Sequence, residues 1–277
     1  MSRLAKPHFL GRGLAAAALL LSVCGAAQAG IDPQEFAVSP DITITYFGEP
    51  LTDEGASQSL SPDKRLDFGA LPQGVDVTGF HVEGEQIYFA VDQPVLLGGQ
   101  VFTPRDVILT DGSDYELFYK GENEGIPRSV KIDAVALIEG ELFLSYDTTF
   151  RLDDLIADED LVWASDGHTI FFDGSAAGVP MSVDLDAAHF IDESTLALSF
   201  NTTAKLGEFV ADDEDVLAFE NDFLAVVYDG SSVESSWPSA DLDGVSIGAP
   251  EPPPPVDLIF EDGFEAGNTS AWSASVP

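Results

Sequence analysis

The stretch FFDGSAAGVPMSVDLDAAHF, residues 171–190, recurs in altered form along its own chain. It aligns with VVYDGSSVESSWPSADLDGVSI (226–247), with LFYKGENEGIPRSVKIDAVAL (117–137) and, more loosely, with RLDFGALPQGVDVTGFHV (65–82). The alignment places Thr78, Asp133, Asp186 and Asp243 in one column, at steps of 55, 53 and 57 residues. A second column, Asp106, Asp160 and Asp215, advances by 54 and 55. A third set, IYFAVD, LFLSYD and LALSFN, falls between the two. Three columns at one spacing mark a repeat architecture, in which each unit buries its apolar face against the next.

Each unit reads as four short strands. In the clearest copy they fall near 183–190, 195–201, 215–219 and 223–228, rich in aliphatic and aromatic residues and bounded by Gly, Asp, Ser or Asn. No segment of the repeat carries helical periodicity over three turns. The expected fold is therefore all-β: a repeat of four-stranded antiparallel units, each like one blade of a β-propeller. Three units are complete. A fourth is assembled from the two ends, with ADLDGVSI (240–247) as its first strand, DITITYFG (41–48) as its second and KRLDFGALP (64–72) as its last. Residues 51–61 are too polar for a clear third strand. The result is a four-bladed propeller closed by N- and C-terminal strands, which removes the exposed sheet edges. A solenoid or a pair of sandwiches is the alternative, since four-stranded repeats do not by themselves require a ring.

The repeat domain covers residues 30–248. Before it, Arg3, Lys6 and Arg12 precede the short apolar run LAAAALLLSVCGAA, and AQA ends at Ala29. This pattern is a signal peptide (1–29) cleaved before Gly30. A lipoprotein signal ending at Cys24 is disfavoured by the bulky Val23. After it, APEPPPPV (249–256) is a stiff Pro-rich linker. Residues 257–277, DLIFEDGFEAGNTSAWSASVP, form a short tail, which we read as a sorting or docking peptide presenting Phe260, Phe264 and Trp272.

Phe260, Asp262, Gly263, Phe264, Glu265, Gly267, Ser270, Ala271 and Trp272 carry a resemblance. The tail looks like the DGFESG…TSAW segment that follows Pro-rich linkers on many exported proteins of Gram-negative bacteria, with Ala266 where Ser is usual. The repeats, with DEDVL, YDGS and DLDA, resemble an uncharacterised family of secreted repeat proteins. The resemblance implies export and sorting at the cell envelope. It implies no activity and no catalytic residue.

Cys24 is the lone cysteine, so a chain cleaved before Gly30 has no disulfide and relies on its core. Losing Arg3, Lys6 and Arg12 with the signal leaves eight Lys and Arg against all 49 Asp and Glu, a formal charge of −41. Such a field repels nucleic acid and anionic lipid and attracts cations and basic partners. No segment after the signal is apolar enough to span a membrane.

Several residues are candidates for chemistry. Asp160, Asp213 and Asp215 sit in the acidic runs DED and DDED, and Asp186 and Asp243 recur in DLD; calcium, which takes six to eight oxygens, is the cofactor such groups suit. The full EF-hand spacing is absent. Asx turns account equally for Asp106, Asp160 and Asp215, and we prefer that reading. Asp133, Asp186 and Asp243 either ring a central channel that binds a cation or, the preferred reading, tie neighbouring blades together through backbone amides. His81 and His189 share one repeat position and stand on alternate blades, which would let both face one metal across the axis; a hydrogen-bonded structural role is preferred, and His168 is expected to be solvated. Among aromatics, Trp237 in the polar turn SSWPS is the best exposed candidate for ligand binding, with Trp163 second. There is no GxSxG elbow, no mature cysteine and no phosphate-binding glycine loop.

The reading that follows is an exported acidic binding or surface-structural module without catalytic activity, whose partner is an envelope or extracellular polymer or protein. One alternative is a calcium-stabilised domain. Another is a carboxylate-dependent hydrolase acting on an extracellular polymer.

Overall fold

The computed structural model describes residues 36–58, 61, 64–207 and 209–248. Strands β1 (Phe36–Pro40) and β2 (Ser57–Gln58) come first and belong to the blade that closes the ring. Blade 1 follows as β3 (Val77–Glu83), β4 (Gln86–Val91), β5 (Asp106–Thr110) and β6 (Tyr115–Lys120). Blade 2 is β7 (Ile132–Ile138), β8 (Glu141–Tyr146), β9 (Leu161–Trp163) and β10 (Thr169–Phe172). Blade 3 is β11 (Leu185–Asp192), β12 (Thr195–Phe200), β13 (Asp215–Glu220) and β14 (Phe223–Asp229). The chain then returns as β15 (Leu242–Ile247), which pairs antiparallel with β1.

Every blade is an antiparallel meander. The innermost strands β3, β7, β11 and β15 each pack against two others of the set, closing a ring. Four apolar cores fill the gaps between blades. One joins Tyr88, Ala90 and Val107 to Ile132, Leu144 and Val162; the next joins Phe143, Leu161 and Phe172 to Leu185, Leu198 and Leu217. Two more flank the closing blade, around Phe36, Tyr46 and Trp237 on one side and Phe68, Phe80 and Phe89 on the other. The first three strands of blades 1 to 3 therefore bury both faces, which explains why they read as nearly continuous apolar runs rather than strict alternations, whereas the outermost β6 and β14 are largely exposed. The molecule is a four-bladed propeller.

The closing blade differs in detail from the expectation. Its first strand is β15, but its second is FAVSP, not residues 41–48. Ile44–Tyr46 instead pairs with Glu49–Leu51 in a small hairpin. Phe47 and Gly48 both take positive φ, 50° and 89°, the combination a tight two-residue hairpin turn requires. Blade 1 carries the same device, with Gly98 and Gly99 turning between Val95–Leu97 and Gln100–Phe102. Blades 2 and 3 have counterparts at Phe150–Arg151 with Leu155–Ile156 and at Ala204–Leu206 with Phe209–Ala211. The third strand of the closing blade is the two-residue β2, and its last strand is reduced to a single bridge from Arg65 to Ser57. The DGS motif of the opening stretch starts a one-turn helix, Gly174–Ala177, capped by Asp173.

No helix among the described residues is long and apolar enough to cross a membrane.

Candidate functional site

One end of the ring is built from three columns of the repeat. At the start of each innermost strand stands Asp76, Lys131, Asp184 or Asp241. Its backbone N–H donates to an Asx side chain that ends the second strand: Asp76 to Asp92 at 2.9 Å, Lys131 to Asp147 at 2.8 Å, Asp184 to Asn201 at 3.0 Å and Asp241 to Asp41 at 2.8 Å. The amide of that Asx residue donates back to the first residue's carbonyl in all four blades. The clasp is local to each blade. In the closing blade it ties the two ends of the domain together, from Asp41 to Asp241.

The third column is the aligned set Thr78, Asp133, Asp186 and Asp243, and the register shows what it is. Val77 pairs with Val91 and Gly79 with Ala90, leaving Thr78 without a partner. Asp186 is skipped between Leu185 and Ala187, and Asp243 between Leu242 and Gly244. Asp133 falls in the corresponding break between Ile132 and Val135. The column is a β-bulge, which interrupts the ladder and re-aims a side chain. Thr78 Oγ1 accordingly donates to the carbonyl of Ile132 on the next blade, at 2.6 Å. Asp186 reaches the carboxyl of Asp241 on its next blade, and Asp243 reaches that of Asp76. Asp133 accepts no hydrogen bond from any described residue and faces Asp184 and Asp147. The preferred tie through backbone amides is thus replaced by a donated bond at Thr78 and by carboxyl pairs at two junctions.

These carboxyls are half-buried and crowded by their own kind. Desolvation, then neighbouring carboxylates, pushes Asp243 up to about 9 and Asp76 up to about 7. Desolvation likewise raises Asp241 to about 7, and holds Asp133 and Asp186 well above the carboxylate range. The three columns hold nine aspartates against a single lysine, Lys131. The four small hairpins leave from this end of the ring, because each begins just after a clasp residue. They carry exposed apolar side chains, among them Phe47, Leu96, Val101, Leu155 and Val210.

Deeper along the axis, His81 of blade 1 and His189 of blade 3 do meet across the ring. Their rings stack with centroids 5.1 Å apart and planes 22° from parallel. His81 Nδ1 accepts from Leu137 N–H at 3.4 Å. Burial, followed by the adjacent His189, lowers His81 to about 3, and burial lowers His189 to about 4, so both are neutral. Stacked rings direct their in-plane lone pairs along parallel planes rather than onto one point, which is the geometry of a plug more than of a shared ligand.

Asp106, Asp160 and Asp215 lie elsewhere, at the starts of the third strands, and they are buried. Asp160 accepts from Ala157 N–H at 3.0 Å and Gly174 N–H at 3.1 Å. Asp106 accepts from Thr103 and Gly121 and pairs with Lys120 at 2.9 Å, and Asp215 accepts from Asp212 N–H at 3.1 Å. Their oxygens are taken up in turns, as the Asx reading expects. Asp213 gives its backbone carbonyl to Leu242 N–H. The structure does not bring Asp160, Asp213 and Asp215 together with Asp186 and Asp243 in one cluster: among the described residues no group of three or more His, Cys, Asp or Glu is arranged to hold a metal ion.

Two aromatic expectations are corrected. Trp237 is fully buried, edge-on to Tyr46 in the core beside the closing blade, because the turn that bears it folds over that core. His168 is buried and bonded to Tyr119 Oη at 2.8 Å rather than solvated. Trp163 is half-buried, stacked on Phe143, with its indole N–H given to Glu141. Phe260, Phe264 and Trp272 lie outside the described residues, as do the signal and the linker. The clasp was not foreseen, although FAVSPD (36–41) matches IYFAVD, LFLSYD and LALSFN and carries its signal.

No family model matches the chain, and no curated protein is significantly similar to it.

Proposed function

We propose that this chain is an exported binding or surface-structural module, without catalytic activity, that engages a cationic envelope or extracellular polymer or protein through the clasp end of the ring. The observation that carries this reading is the acidity of that end, nine aspartates in three columns against one lysine, net negative although burial holds Asp243 protonated at neutral pH, rimmed by hairpins with exposed apolar side chains. A surface of that kind offers a cationic partner long-range attraction and apolar contact together. The basic, apolar and small-residue order of residues 1–29 and the tail's resemblance to exported proteins support export.

Binding of polylysine, chitosan oligomers and a neutral glucan, measured by calorimetry at low and high salt, tests the reading. Polycation binding that weakens about tenfold or more at high salt is expected, with no response to the glucan. Removing charge at Asp53 and Asp213, which face the clasp residues Asp76 and Asp241, should weaken it, and the same loss at Glu85 and Glu193, exposed in the turns at the opposite end of the inner strands, should not. Product analysis of the same mixtures addresses the hydrolase alternative: released fragments would overturn a non-catalytic module.

Calcium is a second reading, now resting on the axial aspartates. Its support is Asp133, a half-buried carboxyl that no described donor satisfies. A thermal midpoint that is the same in calcium and in chelator would exclude it.

A further inference from the structure

We propose that the outer edge of β14 is a strand-addition site for another protein: it takes an extended, apolar peptide segment with a basic residue at each end. The site lies on the rim of blade 3 rather than around the axis.

A blade ends in a strand whose outer N–H and C=O groups face no neighbour, and proteins blunt such edges by keeping them short, charged or covered. Three of the four blades do so. Blade 2 ends in the four-residue β10, whose Phe171 and Phe172 pack on Phe143, Phe190 and Phe219. Blade 1 ends in β6, which carries Glu116 and Lys120. Its Phe118 lies edge-on to Tyr88 at 4.7 Å, and its Tyr115 Oη donates to the carbonyl of Phe68 at 3.0 Å. The closing blade ends in the single bridge from Arg65 to Ser57.

Blade 3 lacks these devices. β14 reads FLAVVYD, and among the described residues it pairs only inward, with β13. From Phe223 to Tyr228 it holds no charge, no Gly and no Pro, and it is rich in β-branched and aromatic residues. Leu224 and Val227 pack on the cores to either side and hold the strand in place. Phe223 is 78% exposed and Val226 42%, and Ala225 between them is exposed as well. A fixed, uncharged strand with an open edge is the template for strand addition.

The chemistry of the occupant follows from the edge and its flanks. Alternating N–H and C=O groups at about 3.3 Å per residue match an extended polypeptide, not a sugar or a lipid. Asp222, in the turn before β14, and Asp229, its last residue, are exposed and stand seven positions apart, about 23 Å along the strand. Asp229 accepts from the hydroxyl of Ser232 at 2.7 Å, from its N–H at 2.9 Å and from the hydroxyl of Ser231 at 2.8 Å, which hold its carboxyl below the ordinary range and so ionised. A second copy of this chain is a poor occupant. Pairing β14 with itself so that Phe223 lies opposite Tyr228 sets Asp222 of each copy opposite Asp229 of the other, like charges at both ends. The chain's own tail fails likewise, because its apolar run, residues 258–260, stands between Asp257 and Glu261. A segment with Lys or Arg in those two places reverses the sign at each end.

The probe is the peptide KTVTVTVK, whose two Lys match the spacing of Asp222 and Asp229. It is compared with ETVTVTVE and with KTPVTPVK, in which Pro removes N–H donors from both edges of the peptide. Calorimetry on the full chain measures binding, and hydrogen exchange locates it. KTVTVTVK should bind about tenfold or more tightly than either analogue and slow exchange of the β14 amides about tenfold, leaving β6 unchanged. Val226→Lys, which sets a charge on the open edge, should weaken binding about tenfold. Met181→Lys, the same change of charge at a fully solvated side chain, should not. Melting midpoints separate lost binding from lost fold, and exchange in the wild-type chain decides the matter even if Val226→Lys does not fold. Equal binding of the three peptides, or unchanged affinity in a folded Val226→Lys, would overturn the proposal. So would protection at Asp76 and Asp184 in place of β14, a result that would leave the clasp end standing as a cationic site. If every β14 amide is already protected in the free chain, its edge is covered, by the chain's own residues if dilution leaves it so and by a second copy if dilution releases it. Either result overturns the proposal.

Discussion

A single aspartate can serve as a strut or as a charge, and the difference lies in what its oxygens meet. Asp160 spends both on backbone N–H groups, of Ala157 and Gly174, in a setting that is almost wholly closed to water. Beside it Gly174 packs so closely on the carbonyl of Glu159 that any Cβ would collide with it. Gly230 and Gly121 stand in the same relation to Glu214 and Arg105, so the glycine is required by a close approach repeated in three blades. Asp160→Ala should cost about 1–3 kcal/mol by leaving those amides unsatisfied, and Asp160→Asn should recover part of it, as read by denaturant unfolding. Equal losses for the two variants would mean that the carboxylate, rather than the turn, carries the effect. The axial aspartates are the contrasting case: at Asp133 no donor arrives, and burial converts the residue from a strut into a titrating group.

At the scale of elements, the bulge is what turns a sheet edge into a blade junction. An unbroken innermost strand would aim alternate side chains to its two faces, and the extra residue redirects one of them to the neighbouring strand. The small residues that follow, Gly79, Ala134, Ala187 and Gly244, let the innermost strands approach; a Cβ on Gly244 would meet the ring of Phe80. The closing blade depends on the pairing of β15 with β1, because β2 contributes only two residues and Arg65 a single bridge. Removing residues 241–248 should leave β1 with an open edge and expose Phe36 and Val38. We expect a lower unfolding midpoint together with concentration-dependent association, seen by sedimentation. A truncated chain that stays monomeric with an unchanged midpoint would show that the closing strand is dispensable.

Over the whole molecule the governing fact is charge. With 49 Asp and Glu in the chain, the folded surface repels itself, and salt relieves that repulsion within a Debye length of about 10 Å at 0.1 M. The midpoint should therefore rise between low and moderate sodium chloride at neutral pH. A midpoint that falls would imply that specific ion pairs outweigh the general field. Eleven Lys and Arg against 49 acids allow few such pairs, Lys120 with Asp106 at 2.9 Å and Arg105 with Glu122 at 3.8 Å among them.

Much of this was legible in residue order. The 53–57-residue step, the four short apolar runs per unit and the ADLDGVSI copy at the end determine a stacked repeat of four-stranded units with a spare strand for its open edge, because a repeat that cannot bury its faces alone must stack and must then cover its edges; that the units close into a ring rather than a solenoid or sandwiches was decided by the tertiary structure. The Asx turns at Asp160 and Asp215 were legible for the same reason: they are local, and a few residues contain both donor and acceptor. What only the tertiary structure decided is everything that depends on bringing distant segments together. Trp237 sits in a polar turn and is nevertheless buried, since the core it enters comes from β1 and blade 3. Asp243 and Asp76 lie 167 positions apart in the sequence and share a junction only because the ring closes. Their proton affinity is set by desolvation and by each other, quantities that do not exist until the fold has formed.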